Sequence, residues 1–176
     1  ECAGDGRIRS RRTLTVKIPA GVDTGTRIQL SGQSEVGSGG GPAGDLYVEI
    51  VERQHPVFTR QGDDVHCTLT LPMTAAALGT TVSLETLDGV QEVDIKPGAQ
   101  AGEMITLRGL GAARLRLGTR GNLLVHIDVS TPTRLDDRQR DLLRQLAALR
   151  SEETPDGQLG GDAPSLFDRL RDAWSR

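Results

Sequence analysis

Apolar and polar residues alternate with period two along most of the chain, as strands with one buried face require. In Arg12–Ile18, Leu14, Val16 and Ile18 alternate with Thr13, Thr15 and Lys17, and Asp45–Val51 repeats the pattern through Leu46, Val48 and Ile50. Val65, Cys67, Leu69 and Leu71 make a third such stripe, and Leu123, Val125, Ile127 and Val129 a fourth. Thr81–Leu87 and Val90–Ile95 flank Asp88-Gly89, a dipeptide suited to a two-residue hairpin turn. The pairs Ile28/Leu30 and Ile105/Leu107 predict two further short strands. Two stretches break the alternation. Met73–Leu78 is Ala-rich, follows Pro72 and ends before Gly79, which predicts a short connector helix. In Asp136–Arg150, Leu135, Leu142, Leu146 and Leu149 fall near one helical face, and Asp136 with Gln139 forms a capping-box pattern. This predicts a surface helix that closes the fold. The fold class expected is mostly β.

The stripes repeat. Ile18, Gly21, Gly25, Ile28, Leu30 and Gly32 recur as Ile95, Gly98, Gly102, Ile105, Leu107 and Gly109, every pair 77 residues apart. The register survives the next loop, because Gly44, Leu46, Val48 and Ile50 recur as Gly121, Leu123, Val125 and Ile127. Val16 matches Val93 as well. Two tandem copies of one β subdomain account for this. The repeat also gives the high glycine content, 22 in 176 residues, a physical role: recurring Gly-x-x-x-Gly turns end one strand and return the chain. The Gly37–Gly44 run has no sequence partner in the second copy beyond its last glycine and reads as a flexible loop.

Composition narrows the chemistry. A net charge of −3 argues against a general nucleic-acid surface. No apolar run reaches the length of a membrane span, and the N-terminus lacks a signal-peptide pattern, so the chain reads as cytosolic. Cys2 and Cys67 are too few for a disulfide scaffold. Glu1 in place of Met leads us to expect a piece of a longer protein. No catalytic constellation emerges. His55, His66 and His126 accompany no plausible nucleophile and suit surface or capping roles, and Cys67 lies in an alternating strand where a buried apolar role is expected. Asp63-Asp64 after Gly62 read as turn formers, and the glycines at 37–41 lack the Lys-Ser/Thr of a phosphate loop. An enzyme is not expected. Ser151–Pro164 is polar and reads as a linker, whereas the final residues are amphipathic again, with Leu166, Phe167, Leu170 and Trp174 at helical spacing. Those last two aromatics are half of the chain's four. A terminal stripe of that kind needs a partner surface.

Several motifs together resemble one family. They are Val16-Lys-Ile-Pro-Ala-Gly-Val-Asp-Thr-Gly-Thr-Arg-Ile28, Gly44-Asp-Leu-Tyr-Val48, His55-Pro-Val-Phe58 with Gly62-Asp-Asp64, and Ala76-Ala-Leu-Gly79. Thr86-Leu-Asp-Gly89, Gly109-Leu-Gly111, Gly121-Asn-Leu-Leu124 and Thr131-Pro132 continue the series in the same order. The chain resembles the C-terminal substrate-binding region of class-A DnaJ-type co-chaperones from residue 2 to about residue 150, more weakly beyond. Cys2-Ala-Gly-Asp-Gly6 matches the second half of that family's C-x-x-C-x-G-x-G zinc repeat. Zinc needs about four Cys or His ligands, so the resemblance makes Cys2 a zinc ligand only in a longer parent and leaves no complete zinc site here.

The resemblance implies the following organisation: residues 1–10 as the zinc-repeat remnant, 11–71 as an incomplete first β subdomain, 72–150 as the second with its closing helix, 151–164 as linker and 165–176 as dimerisation helix. The first subdomain lacks the strands that in the family precede the zinc insertion. It implies a co-chaperone that binds exposed apolar segments of unfolded polypeptides, prevents their aggregation and, in the full-length protein, delivers them to a DnaK-type chaperone. The J domain that contacts that partner, marked by His-Pro-Asp, is absent from this sequence. The client would lie as an added strand with an apolar side chain in a shallow pocket. The matching pocket positions are Leu14 and Val48, with Val16, Leu46 and Ile50 as neighbours; Val48 stands where several relatives carry Phe, which implies a wider or shallower pocket. Read without the resemblance, alternating Leu and Val of this kind are core positions. Homodimerisation through Leu166, Phe167, Leu170 and Trp174 is likewise implied. The rival reading is a structural scaffold or dimerisation module with no client site of its own.

Overall fold

The alternation becomes eight strands and two helices in a computed structural model that describes residues 10–37, 41–115, 117–154 and 157. The strands are β1 (Arg27–Leu30), β2 (Leu46–Glu49), β3 (Thr59–Gln61), β4 (Asp64–Pro72), β5 (Thr80–Thr86), β6 (Gly89–Ile95), β7 (Met104–Leu107) and β8 (Leu123–Ser130). Helix α1 (Met73–Leu78) joins β4 to β5, and α2 (Asp137–Leu149) follows β8. β1 pairs with β2, β5 with β6, and a four-stranded sheet runs in the order β3-β4-β8-β7. The chain is mostly β.

The repeat is reproduced in hydrogen bonds. β7 lies 77 residues after β1 and starts and stops at the equivalent positions. In the first copy Gly25 N–H donates to the Ile50 carbonyl and Ile50 N–H to the Thr26 carbonyl, each at 2.9 Å. In the second, Gly102 donates to Ile127 at 2.9 Å and Ile127 to Glu103 at 2.8 Å. The turn glycines 21, 25 and 32 have φ of +87°, +87° and +66°, and their mates 98, 102 and 109 have +85°, +89° and +75°. These left-handed values are open to glycine and strained for other residues. The described ends of the run at 37–44 have a geometric partner despite its unmatched sequence. Val36 bridges Ala43 as Ala113 bridges Arg120, and Gly37 N–H donates to Pro42 O as Arg114 N–H does to Thr119 O. Backbone closure, which any sequence with the right turn can satisfy, sets this loop rather than side-chain pattern.

Four expectations need correction. Residues 12–18 are extended but form no strand, because among the described residues no neighbour completes their hydrogen-bond ladder. Their burial still alternates, with Leu14 and Val16 half-buried, while Ile18 is 58% exposed. The β5–β6 turn is Leu87-Asp88, one residue earlier than expected. Thr86 Oγ1 donates to the Gly89 carbonyl at 2.6 Å and accepts from Asp88 N–H, so Thr86 and Gly89 close the loop from within the strands. β3 was not anticipated; it pairs with β4 across Gly62-Asp63, with Gln61 opposite Asp64. Finally, α2 has the expected capping box, with Gln139 N–H donating to Asp136 Oδ1 at 2.7 Å and Asp136 N–H to Gln139 Oε1 at 3.0 Å. Yet it buries no residue: Leu142, Leu146 and Leu149 are exposed, and the half-buried strip runs through Leu143 and Ala147. Apolar residues occur on more than one side of this helix, and packing uses the i, i+4 pair that the periodicity did not single out.

The chain divides into two compact units, one formed by Glu1–Thr68, Glu85–Val90 and Met104–Val125, the other by Leu69–Leu84, Gln91–Glu103 and His126–Arg176. In the first, Val65, Cys67, Leu123 and Val125 are buried; in the second, Leu71, Ala76, Val93, Ile95 and Ile127. Among the ion pairs of the first unit, Arg114 pairs with Asp63 at 3.1 Å and Arg120 with Asp88 at 2.8 Å. Hydrogen bonding from Arg120 holds the Asp88 carboxyl below the usual carboxylate range. β2 and β8 both begin with Leu, but only one is sealed: Leu123 is 1% exposed, whereas Leu46 is half-buried. Leu123→Ala is therefore expected to cost about 2–5 kcal/mol and Leu46→Ala less than about 2 kcal/mol, because an open site leaves no closed cavity. Urea unfolding of the two variants measures the difference.

Candidate peptide-binding surface

β1 and β2 form an antiparallel ribbon with Ile28 opposite Val48 and Leu30 opposite Leu46. Period two places these four side chains on one face and Gln29 and Tyr47 on the other. All four are half-buried. Ile50 continues the stripe just past β2, tied to Thr26 by its N–H. Asp45 closes the far end: its carboxylate accepts from Gly32 N–H at 2.9 Å and from the Gln29 amide, and these bonds, Gly32's first, hold it below its ordinary range. On the opposite face, with Gln29 and Tyr47, Arg27 pairs with Glu49 at 3.3 Å, both well exposed. The ribbon is thus apolar on one face and polar on the other.

Of the residues expected at the site, Leu46 and Val48 share this face. Ile50 extends the stripe, and Leu14 and Val16 are the half-buried positions of the extended segment at 12–18. Ile28 and Leu30, whose alternation predicts a strand but no site, join Leu46 and Val48 on this face. Only the antiparallel register sets them opposite Val48 and Leu46. Cys2 and the terminal group Leu166, Phe167, Leu170 and Trp174 lie outside the described residues. Among the described residues no group of three or more His, Cys, Asp or Glu side chains could hold a metal ion.

The second copy supplies an internal reference for this surface. Val93, Leu123, Val125 and Ile127, the mates of Val16, Leu46, Val48 and Ile50, are 3%, 1%, 0% and 3% exposed. The same apolar pattern is closed in one copy and open in the other. An open stripe of alternate apolar side chains on a two-stranded ribbon, whose outer edges have no ladder partner among the described residues, can take an extended chain: main-chain groups pair and side chains fill the gaps.

The remaining reactive groups have structural occupations. His55 Nδ1 accepts from Val57 and Phe58 N–H, each at 3.2 Å, and its ring lies 5.1 Å from that of Phe58. Asp64 Oδ1 accepts from Asn122 N–H at 2.7 Å, and Asp63 is paired with Arg114. Cys67 is 4% exposed, and burial pushes its thiol up from the ordinary range. None of this resembles an activated nucleophile with a base.

Comparison with known proteins follows the same line. A family model described as DnaJ C terminal domain matches residues 5–132, and one described as Chaperone protein DnaJ C-terminal region matches residues 138–176. The chain is similar to Chaperone protein DnaJ 2 of Streptomyces avermitilis, 66% identical over 170 residues, which are 97% of this chain and 45% of that protein. It is 65% identical over 170 residues to the Streptomyces coelicolor protein of the same name, with the same shares covered. With Chaperone protein DnaJ 2 of Mycobacterium tuberculosis it shares 52% identity over 177 residues, 99% of this chain and 46% of that protein. The chain thus spans a little under half the length of the curated relatives it matches.

For the buried thiol, the expectation in a Cys2→Ser variant is slow reaction with a disulfide reagent at pH 8 in the folded chain and rapid, stoichiometric reaction in denaturant, read by absorbance. Fast labelling of Cys67 in the folded state would place it at the surface.

Proposed function

The chain belongs to the DnaJ family, and from that premise we propose that it is a client-holding part of a co-chaperone, binding exposed apolar segments of unfolded polypeptides. The supporting observation is the contrast between the copies: Leu46, Val48 and Ile50 stand half-buried where their mates Leu123, Val125 and Ile127 are sealed. In this reading the client lies extended along the first copy. Leu14 and Val48 receive an apolar side chain, Val16, Leu46 and Ile50 flank it, and backbone groups of the client supply sequence-independent affinity. The family is one of chaperones and not of enzymes.

The rest of the organisation belongs to the same proposal. Residues 1–10 are the remnant of a zinc repeat in which Cys2 binds zinc together with residues of a longer parent. The segments at 11–71 and 72–150 are the first and second β subdomains, 151–164 is a linker, and 165–176 joins two copies. In the full-length protein a DnaK-type chaperone receives the client. Among the described residues no helix is long and apolar enough to cross a membrane; a cytoplasmic location is part of the proposal. The scaffold reading draws on a different observation, the exposed Leu142, Leu146 and Leu149 of α2, which are a surface for assembly rather than for clients.

Aggregation of a guanidinium-denatured model enzyme, followed by light scattering, separates the two. The chain is expected to suppress aggregation and Leu14→Asp to lose at least about tenfold in client affinity, because a charge replaces the apolar contact. An unchanged circular-dichroism spectrum and unchanged client binding in that variant would remove the site. In analytical ultracentrifugation, a chain ending at Arg150 is expected to sediment as a monomer where the 176-residue chain is a dimer. A dimer of the shortened chain would move the joint away from the terminal segment.

A further inference from the structure

Two arginines bracket the extended segment that carries Leu14 and Val16. At its start the Arg12 guanidinium donates to the Gln33 carbonyl at 3.0 Å. Beyond its end Arg60 of β3 donates from Nη1 to the Val22 carbonyl at 2.8 Å and from Nη2 to the Gly21 carbonyl at 3.2 Å. The Nε of Arg60 donates to the Gly62 carbonyl at 2.7 Å, and Glu52 balances the charge at 3.4 Å. The Arg60 side chain is only 17% exposed. All of these residues lie in the first compact unit. The turn is also backed from another side, since a Cβ on Gly21 would come within 2.3 Å of the Ala113 carbonyl oxygen. The chain at 21–22 is therefore held between a guanidinium and a backbone wall.

The second copy holds the same turn by other means. There the Gly98 and Ala99 N–H groups donate to the Ala76 carbonyl of α1 at 2.9 and 3.1 Å. The repeated turn does not in itself require an arginine. Arg60 serves the copy whose preceding segment has no strand partner among the described residues. Only a planar fork with five donors can meet three carbonyls and a carboxylate at once; a lysine ammonium is a compact point charge without that geometry.

We propose that Arg60 is a positioning residue for the peptide-binding surface: by holding the Gly21 and Val22 carbonyls it fixes the end of the segment that presents Leu14 and Val16. Its effect on clients rests on the function proposed above, whereas the latch rests on geometry alone, so two readouts are needed. The first is the set of backbone NMR shifts of the 176-residue chain, and the second is binding of a fluorescein-labelled, permanently unfolded probe, reduced and carboxymethylated α-lactalbumin. Arg60→Met keeps the apolar stem and removes every donor. It is expected to shift the amide signals of residues 13–22, leave those of β5–β6 in place and weaken probe binding about tenfold, a change of about 1.4 kcal/mol. Arg60→Lys restores part of both effects. Glu52→Gln, which spares the carbonyl bonds, shifts neither readout by more than a third as much. Unmoved signals at 13–22 in Arg60→Met, or a loss of binding matched by Glu52→Gln, would overturn the latch. Should Arg60→Met not fold, the same comparison between Arg60→Lys and Glu52→Gln decides. Failure of the parent chain to bind the probe would sink the client reading, and the shifts alone then judge Arg60.

Discussion

The first copy depends on the reciprocal backbone bonds between Ile50 and residues 25–26, two contacts of 2.9 Å. They bring the chain back after the turn at 21–25 and so bring β1 and β2 into register. Without that return the apolar residues of the two strands would have no common face. The equivalent bonds at Ile127 do the same in the second copy, where β4 adds a further neighbour to β8. A single constraint, used twice, sets the return of the chain beside β1 and β2 and beside β7 and β8.

Much of this was legible in the sequence because glycine spacing and apolar alternation report on backbone geometry directly. Gly21, Gly25 and Gly32 and their mates 77 residues on could be aligned by eye, and their left-handed φ values explain why they must be glycine. The capping box of α2 was equally plain, since the Asp136 and Gln139 side chains each offer an oxygen that accepts from the other's backbone N–H. What escaped were properties that depend on neighbours. A period-two stretch such as 12–18 shows which side chains face inward but not whether a partner strand exists. The short β3 carries no alternation worth reading, and its pairing follows from the turn at Gly62-Asp63.

The site was legible in the same uneven way. Leu46, Val48 and Ile50 stood out as a stripe, yet their mates in the second copy show that an identical stripe can be sealed core. Burial, rather than pattern, distinguishes the copies. Ile28 and Leu30 were invisible as site residues until the register placed them opposite the stripe, and Arg60 was invisible because its partners are backbone carbonyls, which leave no mark on a sequence.

The half-open stripe of the first copy also bears on how such a chain can change over evolutionary time. At Leu123, Val125 and Ile127 a change of even one methylene group is felt as a void or a clash, so those positions hold the fold to a narrow set of side chains. At Leu46, Val48 and Ile50 a larger or smaller residue projects toward solvent on one side and escapes most of that penalty. Duplication thus leaves the same apolar pattern under two different tolerances, strict packing in one copy and latitude in side-chain size in the other.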